Sequence, residues 1–84
     1  MPSKTVTVGS HVGLHARPAA LIAAAAGEYD DDIFLQMGDS EVDAASSLLI
    51  MTLGAEKGAE VTVSSDNAEA VDKIADMVAQ DLDA

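Results

Sequence analysis

The stretch Ile33-Phe34-Leu35-Gln36-Met37-Gly38-Asp39-Ser40-Glu41-Val42-Asp43 decides how the chain is laid out. Ile33 to Met37 reads as a strand. Gly38-Asp39 offers a tight hairpin into a short strand around Glu41 to Asp43. Every other strand signal is separated from its neighbours by a helix signal. Before the hairpin, Lys4-Thr5-Val6-Thr7-Val8 alternates as a half-buried strand. Gly9 to His15 is a loop with Gly13 as a turn residue, and Ala16 to Ala26 reads as a helix. Pro18 falls in the first turn of that helix, where a missing N–H costs little. Gly27 is a natural stop, and Asp30-Asp31-Asp32 is a turn.

After the hairpin, Ser46 to Leu53 reads as a short helix ended by Gly54. Gly58 turns the chain into Glu60 to Ser64, which alternates around Val61 and Val63. Asp66 or Asn67 caps a last helix running to about Leu82. Its apolar residues Val71, Ile74, Met77 or Val78, and Leu82 recur at helical spacing. The order is β-α-β-β-α-β-α. No helix-linked pair of strands need be adjacent and parallel. The economical solution is α+β: an open-faced two-layer sandwich, with a four-stranded antiparallel sheet covered on one face by three helices.

The chain has 84 residues, room for one domain spanning 1–84. With 16 Ala against one Phe and one Tyr, its 49% apolar fraction is largely methyl-sized and its core thin. Acids outnumber bases 15 to 4, a net charge of −11. Such a balance excludes charge-driven binding to nucleic acid or to an anionic membrane. No cysteine is present, which excludes disulfides, thiolate metal sites and cysteine catalysis. No apolar run reaches the roughly 18 residues of a membrane span and no signal peptide is visible, so the expected location is the cytoplasm. The acidic, Lys-poor composition fits a salt-loaded cytoplasm such as a halophile's, because molar salt screens the self-repulsion. A partly disordered acidic tail would show less apolar patterning.

The chemistry sits in Gly13-Leu14-His15-Ala16-Arg17-Pro18-Ala19-Ala20. His15 precedes a helix whose first N–H groups lack intrahelical partners and whose dipole is positive there. An anion held at His15 would meet those amides. Arg17, the single arginine, stands two residues away, and its guanidinium fork suits phosphoryl oxygens. Imidazole is a nitrogen nucleophile once one ring nitrogen is free of its proton. The plainer reading makes His15 a cap and Arg17 a surface charge.

This eight-residue string resembles the active-site segment of HPr, the histidine-containing phosphocarrier family of the sugar phosphotransferase system. The likeness in length, strand order and the later segment Ser46 to Gly58 spans essentially the whole chain. It implies an HPr-like fold, with His15 phosphorylated on Nδ1 and Arg17 balancing the phosphoryl charge. The backbone N–H groups of Ala16 and Arg17 would complete the cradle. The implied partners are enzyme I as donor and a IIA domain of a sugar permease as acceptor, with no cofactor and no metal. The protein would act as a stoichiometric carrier and a monomer rather than an enzyme. A related carrier for dihydroxyacetone phosphorylation, a nitrogen-type phosphotransferase chain, and a regulatory binding module are the alternatives; His15 argues against the last.

Ser46 opens the short helix as an N-cap. In many HPr proteins a serine at this place is also the target of a regulatory kinase. Ala45 and Ser47 depart from the residues usually flanking it. The resemblance places Ala20, Ala24, Ser47, Leu48 and Met51 in the partner-binding face, with Ile50 or Leu49 turned inward. The core is the other reading of Leu48 and Met51. Val12 stands where many members carry a small polar residue. His11 reads as a loop residue, and Asp30-Asp31-Asp32 lacks the ligand spacing of a calcium loop.

Overall fold

The computed structural model describes residues 2–82. Strand β1 covers Ser3–Thr7, helix α1 Ala16–Ala26, β2 Ile33–Met37 and β3 Ser40–Asp43. Helix α2 covers Ser47–Thr52, β4 Glu60–Ser65 and α3 Ala68–Ala79. The sheet order is β1-β4-β2-β3 and every pairing is antiparallel. The last strand is thus inserted between β1 and β2. The crossover through α1 passes over β4 and the one through α2 passes over β2, and the helices lie on one face.

The register shows which residues the helices cover. Val61, Val63 and Ser65 of β4 are buried, and Val63 lies opposite Leu35 while Ser65 lies opposite Ile33. Ile22, Ile50, Ile74 and Val78 close over them and are fully buried. Ala19, Ala26, Ala70 and Ala75 are buried as well. Methyl-sized side chains at these positions fill the space between the larger Ile, Leu and Val side chains of the core. The opposite face of the sheet is polar. Thr5 and Thr62 share a hydroxyl hydrogen bond of 2.8 Å there, and Glu41, Asp43 and Glu60 are exposed.

The hairpin forms with Met37 opposite Ser40. Gly38 takes φ +60° and Asp39 does not follow it into positive φ, the sense of a type II′ turn. Several boundaries, and the conformation of one helix stop, differ from the sequence expectation. The first strand begins and ends one residue earlier, although Val8 stays paired through Ala59 and Gly58. Gly27 ends α1 with φ −67°, so it stops the helix without entering the left-handed region. Helix α3 ends at Ala79 rather than near Leu82. Gln80 turns away at ψ 154°, and Asp81 and Leu82 fold back onto the loop preceding α1.

Every Asp and Glu among the described residues is exposed. Their repulsion acts through solvent and is screened once the Debye length falls to about 3 Å at 1 M salt. The denaturation midpoint is therefore expected to rise between dilute buffer and 2 M KCl. Thermal unfolding followed by circular dichroism checks this, and a midpoint that is higher in dilute buffer would contradict it.

Candidate functional site

Helix α1 starts where the sequence says it should. Gly13 holds φ +79°, and a Cβ there would lie 2.5 Å from the Ala55 carbonyl oxygen, so only glycine lets the loop pass this close. Leu14 is buried and its N–H donates to the same Ala55 carbonyl at 2.9 Å. These contacts fix the residue before His15. His15 itself is the N-cap, in extended conformation at φ −83° and ψ −165°, and its side chain makes no capping hydrogen bond. The ring is exposed and free to meet another molecule.

The amides at this helix end are accounted for one by one. Pro18 has no N–H, and the Ala19 N–H donates to the His15 carbonyl at 2.9 Å. The N–H groups of Ala16 and Arg17 have no partner among the described residues. Two donors thus remain open at the positive end of an 11-residue helix. Arg17 is exposed, and its guanidinium makes no hydrogen bond or ion pair among the described residues. Imidazole, two amides and a guanidinium all belong to three consecutive residues, an arrangement able to hold a tetrahedral dianion.

A shallow pocket of about 130 Å³ joins this site to α2, lined by Leu14, His15, Met51, Gly54 and Ala55. Beyond it lies exposed apolar surface. Leu48 is 68% exposed, and Val12, Leu21, Leu49 and Met51 are exposed as well. Residues 1–27 and 44–55 contain none of the chain's 15 acids. All five of these exposed apolar side chains fall within those acid-free segments. The exposed side chains of these two segments form a largely apolar window beside His15, with Arg17 as its near cation and the exposed Glu56, whose backbone lies against Gly13, at its border.

Of the residues that the family resemblance places in the partner-binding face, Ala20, Ala24, Leu48 and Met51 are exposed and Ser47 is half-buried. Ile50, not Leu49, is the residue turned inward. Leu49, Leu21 and Val12 join the exposed set, and sequence reasoning had not placed them there. A six-residue helix is too short for its apolar period to be phased, so Leu49 and Ile50 were equivalent on paper. Ser46 caps α2, its Oγ accepting from the Leu49 N–H at 3.3 Å. Asn67, rather than Asp66, caps α3. His11 is exposed in the loop. No group of three or more metal-ligating side chains occurs among the described residues, and none of their helices is long and apolar enough to cross a membrane.

A family model described as the PTS HPr component phosphorylation site matches residues 2–80. Among solved structures, HPr-C-His from Thermoanaerobacter tengcongensis is similar, with 32% identity and a TM-score of 0.86 over 93% of this chain and 91% of that one. A phosphocarrier protein HPr from Bacillus anthracis has 34% identity and a TM-score of 0.86, covering 92% of this chain and 95% of that one. Crh of Bacillus subtilis, a catabolite repression protein described as a domain-swapped dimer, has 36% identity and a TM-score of 0.73 over 93% of each chain.

Proposed function

The chain belongs to the HPr family of phosphotransferase-system components, and from that membership and the site geometry we propose that it carries phosphoryl groups on His15. Enzyme I, charged from phosphoenolpyruvate, is the donor, and a IIA domain of a sugar permease is the acceptor. Residues 1–84 serve as one phosphocarrier domain, acting as a monomer in the cytoplasm. The observation that carries this reading is the free, exposed imidazole at the start of α1, beside two open amides and an unengaged Arg17.

The lone pair on Nδ1 of His15 attacks the phosphorus of the donor's phosphohistidine in line. The P–N bond to the donor breaks, and the donor nitrogen leaves with its electron pair. The proton on the other ring nitrogen of His15 stays in place, so no general base is needed. The amides of Ala16 and Arg17 and the guanidinium of Arg17 receive the phosphoryl oxygens. The reverse sequence passes the group to the acceptor. Such a transfer depends on positioning and electrostatics, which a small rigid carrier supplies. His15 is equally suited to a route that phosphorylates dihydroxyacetone or to a nitrogen-type chain. Transfer to a panel of IIA domains distinguishes the routes. A purely regulatory binding module would have no use for an open phosphate cradle.

Both partners must cover the apolar window to reach His15. We assign docking to Ala20, Ala24, Ser47, Leu48 and Met51, together with Leu21 and Leu49. Arg17 and the bordering Glu56 offer little charge for steering, so apolar burial carries the contact and persists in high salt. Leu48→Asp is expected to raise the KM of enzyme I for this protein about tenfold or more, with little change in melting temperature. A KM within twofold of the original would remove Leu48 from the interface. Ser46 acts as a helix cap in this account. A kinase site there would add about −1.5 to −2 charges beside the window, and phosphopeptide mapping after growth on a rapidly used sugar tests for it.

A further inference from the structure

Ser10 is one of two polar side chains fully buried among the described residues; the other is Ser65. Its Oγ donates to the Gln80 carbonyl at 3.3 Å and accepts from the Leu82 N–H at 3.4 Å. The neighbours on either side make the same connection. The Gly9 N–H donates to the Val78 carbonyl at 3.0 Å, and the His11 N–H to the Asp81 carboxylate at 3.2 Å. The loop therefore satisfies carbonyls left over at the end of α3. On its other side the Gly13 N–H donates to the Ser10 carbonyl at 2.9 Å, closing the turn that leads into Leu14 and His15. The loop is strung between residues 78–82 and Ala55, and His15 is where it ends. The phosphoryl-transfer chemistry uses neither Ser10 nor the segment after α3.

Resting on the carrier reading, we propose that Ser10 is a positioning residue, tying residues 80–82 to the loop so that the His15 turn is held for in-line attack. The energetics separate this role from a merely structural one. Both bonds are only part-buried, between the buried Ser10 hydroxyl and the exposed Gln80 and half-buried Leu82, so the peptide groups released by removing the hydroxyl lie close to water. The cost to stability is then small. The loop, however, gains freedom next to the one atom whose direction matters, and a misplaced reacting group costs rate steeply.

The test compares the original chain, Ser10→Ala, Ser65→Ala, a chain ending at Ala79, and Ser10→Ala within that shorter chain, all with phospho-enzyme I as donor. Ser65 is equally buried, but its Oγ accepts from the Asn67 N–H at 3.2 Å, at the other end of α3. Ser10→Ala is expected to lower the saturated transfer rate about five- to tenfold while KM stays within about twofold. Ser65→Ala lowers the melting temperature at least as much and leaves the rate alone. The shorter chain behaves like Ser10→Ala, and the combined variant is no worse than either, because both changes cut the same tie. Amide exchange at Gly13 and Leu14 accelerates about tenfold in Ser10→Ala, with no partner needed. A Ser10→Ala rate within twofold of the original overturns the inference. So does an equal loss in Ser65→Ala, or multiplication of the two losses in the combined variant. If the original chain takes up no phosphoryl group at all, the carrier reading fails and this inference with it; a competent original with insensitive Ser10 variants defeats this inference alone.

Discussion

His15→Ala is expected to fold as the original does and to take up no phosphoryl group above a protein-free blank. The ring is exposed and makes no capping hydrogen bond, so deleting it removes no packing and frees no buried polar group. Substitutions of that kind shift stability by about 0.5 kcal/mol or less. The chemical loss is total because nothing nearby replaces a nitrogen nucleophile. The only other histidine, His11, lies in the loop and makes its contact toward the segment after α3. The cradle of amides and guanidinium would survive and bind an anion, but it has no lone pair to offer the phosphorus. Arg17→Ala tests the cradle in turn. It keeps the nucleophile and is expected to slow transfer roughly tenfold, a solvent-exposed fraction of what a buried oxyanion donor is worth. Rapid quench of the transfer from phospho-enzyme I reads both variants. Normal transfer by Arg17→Ala together with a large loss of stability would reassign Arg17 to the fold.

Gly9→Ala is expected to cost more stability than any exposed change in the molecule. A Cβ at Gly9 would lie 1.9 Å from the Ala79 carbonyl oxygen and 2.7 Å from its carbonyl carbon. Both belong to backbone at the end of α3, so no side chain can swing aside. Either the loop or the helix end must move, and the Gly9 N–H bond to Val78 goes with it. Overpacking of this kind costs on the order of 3 kcal/mol. A domain of this length is held by only about 4–12 kcal/mol in all. The melting temperature should fall by roughly 12–24 °C. Gly38→Ala is the instructive comparison. Gly38 has φ +60° but open space around its Cβ position, so its cost is the strain of the left-handed conformation alone, about 1 kcal/mol. Calorimetry on the two variants separates steric from conformational cost. A Gly9→Ala melting temperature within 5 °C of the original would show that the end of α3 yields easily.

What could be read in the sequence follows the range of the forces involved. Helix α1 and strand β2 fall on the expected residues because Pro18, Gly27 and the Gly38-Asp39 turn are local signals. The four antiparallel strands and three covering helices follow from element order and the economy of connections. The proposed His15 site was legible for the same reason, since imidazole, amides and guanidinium belong to three neighbours in the chain. The end of α3 was not legible. The residues that follow it are bonded to Ser10, about 70 residues away in sequence, and no pattern within the helix announces that contact. The inward residue of α2 was likewise undecided between Leu49 and Ile50, because one and a half turns hold too few apolar positions to fix a phase. The exposed apolar window emerged only when α1 and α2 were brought side by side. The sign was present all along in where the 15 acids are missing.

The most direct measurement is the chemistry and position of the label after the unaltered protein is incubated with enzyme I and radiolabelled phosphoenolpyruvate. The account expects one phosphoryl group per chain, lost in acid, stable in base, and located on the peptide that contains His15. An acid-stable label, or an acid-labile one mapped to a peptide without His15, would contradict it.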